Sequence, residues 1–320
     1  MPLGRSAWLG ALIVVIAAAL FGSLGVMARF AYDQGMEPFA FVAWRAGVGA
    51  LGLYVAVALL RGPRAIVADL RAIDRRAGGW LALAMAMGAA LNLAAFLSFD
   101  TTTVALALLG FYTYPAMVAA GSVLLGRERL DGARLAALLL SLAGMIAVVL
   151  GGPAVEPAGR ASLVGVGFAL AAAAFQTVFI LTSRGYAKVP ADQAMAAILA
   201  GSSILALVVT LVVNGPAALA LPLASPSLIT LLVLVGLFAA ALPSVLFLTG
   251  IRWIGGVRTG ILMLFEPVVG VALAAALLHE GLEPLQVLGG ATVLLAALLV
   301  QRGASPRSEL PAVAPAPGGP

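Results

Sequence analysis

The chain is 320 residues long, 63% hydrophobic and only 10% charged, with a mean hydropathy of +1.13. A soluble domain of that composition could not keep a wettable surface, so the sequence is that of a polytopic membrane protein. A net charge of +5 and a pI of about 10.2 do not point to nucleic acid, because the cations are scattered along the chain; the lack of cysteine excludes a disulfide framework and a thiolate metal site.

Apolar runs of about 18 to 23 residues, the length that crosses a hydrocarbon core of about 30 Å, recur along almost the whole chain. Ten are predicted as membrane helices: Trp8 to Arg29, Pro38 to Leu60, Trp80 to Phe99, Thr103 to Leu125, Arg134 to Leu150, Ser162 to Thr182, Ala194 to Val213, Leu228 to Gly250, Arg258 to Leu278 and Leu285 to Gln301. Their connections leave no room for a soluble domain. The first run follows Arg5 as a signal peptide would, but it is too long for an h-region and nine spans follow, so it reads as a retained helix. Trp8 and Trp80, at span starts, read as interface anchors.

Lys and Arg in short loops set orientation. With the N-terminus inside, the cytoplasmic segments hold Arg5; Arg61, Arg64, Arg71, Arg75 and Arg76; Arg127, Arg129 and Arg134; Arg184 and Lys188; Arg252 and Arg258; Arg302 and Arg307. Only Arg29 and Arg160 fall outside, and Arg45 lies within a span. The fold class expected is an all-α membrane protein, N-in and C-in, in the inner (plasma) membrane. Between spans 2 and 3, Arg61 to Gly79 alternates cations with apolar residues at roughly helical spacing. That fits a short amphipathic helix on the inner leaflet, where each cation near anionic lipid contributes about 1 kcal/mol, or a solvated loop.

Five helices precede about Gly152 and five follow it. Pro115 to Leu130 (PAMVAAGSVLLGRERL) and Pro267 to Leu282 (PVVGVALAAALLHEGL) align without gaps at an offset of 152, sharing Pro, Ala, Leu, Glu and Leu. A weaker echo places Phe21 to Tyr32 over Phe175 to Tyr186 at an offset of 154. An odd number of crossings starts the second half on the opposite side, so the halves are inverted repeats, a hallmark of alternating-access transporters. The division expected is 1–152 and 153–302, joined by a linker over Gly151 to Arg160, with a disordered Pro-, Ala- and Gly-rich tail at 303–320. Small residues such as Gly256 and Gly260, or Ala46 and Gly49, let helices approach closely.

Ionisable groups inside spans are costly and mark function by default. Two qualify, Arg45 and Glu266. At 1.5 Å per residue Glu266 lies roughly 12 Å from the inner end of its helix and Arg45 roughly 10 Å from the outer end of its own, so both approach the midplane. Glu266 is the coupling candidate: it takes up and releases a proton, or meets a cationic substrate group, as the cavity opens to alternate sides. The other reading makes it a fixed counter-ion for Arg45 or a partner for backbone freed by Pro267. Its counterpart in the first half is Tyr114, a divergence that suits an asymmetric substrate.

Pro115 and Pro267 each remove a backbone donor and bend their helix, and kinks at matching places in both halves point to the binding site. Pro243 is a third hinge. The remaining substrate-binding candidates at mid-depth are Trp44, Asn92, Phe111, Tyr112, Tyr114, Gln176 (with Thr177), Ser244 and Phe265, a set suited to a small molecule with apolar and polar parts. Glu128 reads as structural, pairing with Arg134 or capping the fifth span. The single histidine, His279, beside Glu280, reads as solvated.

No HExxH, Asp-rich, Walker or Cys motif supports an enzyme. No cofactor or metal is expected. The expected partners are a small-molecule substrate and the lipid bilayer, with no nucleic acid, in a monomer or homodimer. A membrane-embedded enzyme and a non-transporting assembly factor are the competing classes.

The segments FYTYPAMVAAGSVLLGRERL and MLFEPVVGVALAAALLHEGL resemble the helix-4 and helix-9 signature of the drug/metabolite transporter superfamily, specifically its EamA-type exporters, in which a helix carrying Pro, often after Glu, ends in a GE-R-L exit. The second exit here, His279-Glu280-Gly281-Leu282, keeps only part of that pattern. The resemblance implies ten helices, a central cavity between the halves, and secondary export of small metabolites such as amino acids.

Overall fold

The computed structural model describes residues 5–71, 73–102, 104–128, 130–151, 162–278 and 281–302. The linker and tail expectations, together with His279 and Glu280, fall outside them. Among the described residues every regular element is helical. Nine helical stretches are long and apolar enough to cross a membrane, and Pro284–Leu299 is a shorter tenth.

In chain order, α1 (Arg5–Gly22) and α2 (Leu24–Tyr32) form the first span, interrupted at Ser23. The second is α3 (Pro38–Arg61), followed by the short α4 (Pro63–Arg71). α4 realises the amphipathic-helix reading of that loop. The third span, α5 (Arg75–Thr101), starts five residues before Trp80 because Asp74 caps it, its carboxylate accepting from the Ala77 N–H at 2.7 Å. Trp80 consequently lies inside the helix and packs on Gly185, in the connection between the sixth and seventh spans, where an added Cβ would fall 2.2 Å from the indole. Trp8, about half exposed, keeps the surface position of an anchor. The fourth span is α6 (Val104–Phe111) with α7 (Tyr114–Leu124), and the fifth is α8 (Gly132–Leu150).

The second half repeats the plan. α9 (Leu163–Thr182) and α10 (Ala191–Val213) are the sixth and seventh spans, followed by the short α11 (Pro216–Ala220). The eighth joins α12 (Pro226–Gly236) to α13 (Leu242–Ile254) through a π-helical turn over Leu237–Ala241. That wide turn lies directly before Pro243, whose ring and missing N–H an α-helical turn would not accommodate. α14 (Gly256–Met263) and α15 (Glu266–Leu278) form the ninth span and α16 (Pro284–Arg302) the tenth.

Contacts between spans obey the repeat. The first span packs on the eighth (α1 on α13) as the sixth packs on the third (α9 on α5). It touches the ninth (α1 on α15) as the sixth touches the fourth (α9 on α6 and α7). The second lies on the eighth (α3 on α12) as the seventh lies on the third (α10 on α5), while spans 2 and 7, 4 and 9, and 5 and 10 each meet their own counterpart. Advancing every span by five maps this set onto itself. Spans 5 and 10 approach so closely that a Cβ on Gly289 would stand 2.5 Å from the Gly144 carbonyl oxygen, the backbone proximity that drives helix association in lipid.

The inversion is visible in the loops. Arg61, ending span 2, pairs with Asp192, opening span 7, at 2.5 Å, and Glu128, just past span 4, accepts from the Gly256 N–H at the head of span 9 at 3.0 Å. Counterpart helices therefore run antiparallel. On the same face Asp69 of α4 accepts from the Gln193 amide at 2.6 Å, and the Arg252 guanidinium donates to the carbonyls of Val189 and Tyr186. The opposite face joins Gln34, after span 1, to Ser227, before span 8, at 3.0 Å. Glu128 thus caps the ninth span and not the fifth; the fifth is capped by Asp131, which accepts from the Arg134 N–H at 2.8 Å.

Candidate functional site

Both Pro-bearing spans break at equivalent residues. α6 ends at Phe111 and α7 begins at Tyr114; α14 ends at Met263 and α15 begins at Glu266, each pair 152 residues apart. Pro115 and Pro267 cannot donate to the carbonyl four residues back, and the chain tightens just before them: Thr113 N–H reaches Gly110 O at 3.3 Å, and its counterpart Phe265 N–H reaches Leu262 O at 3.1 Å.

The breaks are brought together. Tyr112, in the first interruption, hydrogen-bonds through its hydroxyl to the Glu266 carboxylate at the second, and Tyr114 lies within electrostatic range of the same group. The rings of Phe111, Tyr112 and Tyr114 form one cluster, with centroids 5.2, 5.3 and 6.5 Å apart. α14 crosses α7 at the break, where a Cβ on Gly260 would stand 3.3 Å from Pro115 Cβ. The first span closes in from the other side: a Cβ on Gly22 would be 2.6 Å from the Glu266 carbonyl oxygen.

Arg45 comes from α3. It is buried, its guanidinium donates to Asn92 Oδ1 at 3.3 Å, and its Nε has no hydrogen-bond partner. Tyr32 and Glu266 are the groups within electrostatic range of it. Asn92 is anchored in turn, its amide donating to the Gly88 carbonyl at 2.8 Å. Among the described ion pairs none joins Arg45 to Glu266, so the two share one neighbourhood without forming a direct pair.

The other predicted residues divide. Phe265 packs against the main core beside Glu266. Gln176 is half-buried on α9 next to Thr177, whose hydroxyl donates to the Ala173 carbonyl at 2.8 Å and lies 3.5 Å from the Tyr114 carbonyl. Ser244 is buried just past Pro243. Trp44 is not part of the central group: its indole N–H donates to the Leu219 carbonyl at 3.1 Å, and its ring packs with the cluster around Phe41 and Leu228.

Two tyrosines were not singled out from sequence. Tyr32 packs edge-on against Phe41, centroids 5.7 Å apart. Its counterpart in the weaker repeat, Tyr186, is fully buried with its hydroxyl unpartnered, and the Arg252 guanidinium sits 5.9 Å from its ring centre. The alignment of Phe21–Tyr32 with Phe175–Tyr186 was the signal that held them.

Among the described residues, nine membrane-length helices and a shorter tenth, in two inverted halves whose matched breaks meet, define an inverted-repeat membrane transporter fold. Residues 8–150 and 163–302 each match the model of the EamA-like transporter family. The chain belongs to that family, in keeping with the drug/metabolite transporter resemblance of its sequence. A crystal structure of another protein, 20% identical, superposes with a TM-score of 0.75 over 91% of this chain and 95% of that one, a likeness of fold. No curated protein matches the chain.

Proposed function

We propose that this protein exports small amphipathic metabolites, amino acids or related compounds, across the inner membrane by alternating access, with both termini in the cytoplasm. The halves 1–152 and 153–302 rock about the mid-depth site, exposing it to one side and then the other. The observation that carries this reading is the meeting of the two helix breaks at Tyr112 and Glu266. A broken helix leaves backbone groups unpaired, which a bilayer tolerates only where they line a cavity or are buried in protein, and here two such places coincide. The face bearing Arg61, Arg127, Arg252 and Arg258 is assigned to the cytoplasm by its positive charge.

Counterflow in proteoliposomes tests the function, after a thermal-shift screen against metabolites has named a ligand. A transporter exchanges labelled solute unchanged, whereas an enzyme returns it altered. Reporter tags after Ala154 and Arg302 test the topology; tags in the same compartment refute the inverted halves.

A further inference from the structure

Around α4, Asp69, Asp74 and Asp192 are each already engaged. Asp69 is held by Arg61 at 3.2 Å and by the Gln193 amide at 2.6 Å, Asp192 by Arg61 at 2.5 Å, and Asp74 caps α5. Four exposed cations stand beside them, Arg64 and Arg71 on α4 and Arg75 and Arg76 at the start of α5. No described hydrogen bond or ion pair reaches any of the four. The left-handed backbone of Gly62, φ +84°, ends span 2 and lets α4 start in a new direction. At 100° per residue, Arg64 and Arg71 share one side of α4, Asp69 lies roughly 140–160° away, and Ile66 and Val67 fill the arc between. Val67 is exposed, as are Leu59 and Leu60 in the last turn of span 2, at 80% and 84%. A helix with cations on one side and bare apolar residues next to them suits the boundary between headgroups and acyl chains.

We propose that α4 is a binding site for anionic phospholipid of the leaflet covering this face, and that lipid held there steadies the clasp between the two halves of the protein. The phosphates of two neighbouring headgroups take Arg64 and Arg71, which stand about 10 Å apart along the helix axis, each through two parallel charge-assisted bonds. Arg75 and Arg76 add attraction to the same anionic surface. The acyl chains cover Val67, Leu59 and Leu60, which a soluble phosphate would leave bare. Asp69 does not oppose the lipid, because Arg61 neutralises it on the far side of the helix. It passes the effect on instead. α4 and Arg61 belong to the first half and Asp192 and Gln193 to the second, so a headgroup that fixes α4 also fixes the contacts of Asp69 with Gln193 and of Arg61 with Asp192. This goes beyond the transport reading and does not depend on what is carried; only the name of the leaflet rests on the orientation proposed above.

The test titrates full-length protein in neutral detergent micelles with phosphatidylglycerol and reads the unfolding temperature, with phosphatidylcholine as the neutral lipid and glycerol 3-phosphate as the soluble phosphate. Phosphatidylglycerol is expected to raise the unfolding temperature and the other two are not. Arg64→Gln combined with Arg71→Gln is expected to need roughly 25-fold more phosphatidylglycerol for half the rise, about fivefold per cation. Arg184→Gln combined with Lys188→Gln removes the same charge from exposed positions of the same face outside α4 and is expected to change little. Asp69→Asn keeps the cations and loosens the clasp, so it is expected to respond at no higher lipid concentration and with a smaller rise. Equal responses of the wild type to the two lipids overturn the proposal, with no variant needed. So does an α4 variant that titrates like the wild type, or an Arg184 and Lys188 variant that loses as much, which makes the effect one of net charge. A rise with glycerol 3-phosphate equal to that with phosphatidylglycerol assigns the cations to free phosphate and overturns the lipid site, and a full rise in Asp69→Asn overturns the link to the clasp. The titration reads neither transport nor topology, so its outcome and that of counterflow stand or fall separately.

Discussion

Glu128, at the exit of the fourth span, accepts a hydrogen bond from the backbone N–H of Gly256, 3.0 Å away at the head of the ninth. The residues are 128 positions apart and belong to different halves. The carboxylate meets the positive end of α14, the helix whose far end is the break before Glu266. The cap and the site are therefore the two ends of one eight-residue helix.

Removing the cap costs stability in proportion to what the new side chain keeps. Glu128→Ala is expected to destabilise by about 1 kcal/mol. Glu128→Gln, with an amide oxygen still able to accept, is expected to lose less. Thermal unfolding of the purified protein in detergent checks the order Glu, Gln, Ala.

Pro115→Ala and Pro267→Ala restore a backbone donor where each helix is interrupted. Both prolines stand in the first turn of their helix, α7 and α15, where a missing N–H costs little, so the unfolding temperature is expected to change little, while counterflow slows because the break is lost. Variants that transport at the wild-type rate would show that the interruptions are incidental.

With Glu266 as the coupling group, a proton entering on this carboxylate is exchanged for substrate leaving, and acid outside drives export. Glu266→Gln is expected to keep exchanging the solute that counterflow identifies and to lose its response to an imposed pH gradient. A response equal to the wild type's removes Glu266 from coupling.

Gly22 and Gly25 lie three residues apart with opposite surroundings. A Cβ at Gly22 meets the Glu266 carbonyl at 2.6 Å and Val269 Cβ at 2.9 Å, whereas Gly25 has nothing within 4 Å. Gly22→Ala is expected to destabilise by about 1–3 kcal/mol through overpacking. Gly25→Ala is expected to be neutral or to stabilise by about 0.5–1 kcal/mol through backbone entropy. Paired melting curves decide.

The spans were legible because a hydrocarbon core demands long apolar runs, and the breaks were legible because proline carries its disruption in its own covalent structure. Residues that act through partners far along the chain were not. Asn92 and Arg45 could each be named as unusual in a span, but their hydrogen bond depends on how spans 2 and 3 turn toward each other. Glu128 was read against its neighbours in sequence, the default for a charge at a helix exit, although its acceptor role is filled by a segment in the other half. Trp44 carried the right chemistry at the right depth and points to the Leu219 carbonyl, an orientation that helical register alone does not give.

The π-helical turn at Leu237–Ala241 works as a spacer in the reading frame of the eighth span. One extra residue in a turn rotates everything downstream by roughly 100°, so Phe247 faces Phe179, rings 6.4 Å apart and nearly parallel, only with that surplus in place. Deleting a single alanine from Ala239–Ala241 would leave every remaining side chain chemically intact and swing the whole of α13 onto a different azimuth.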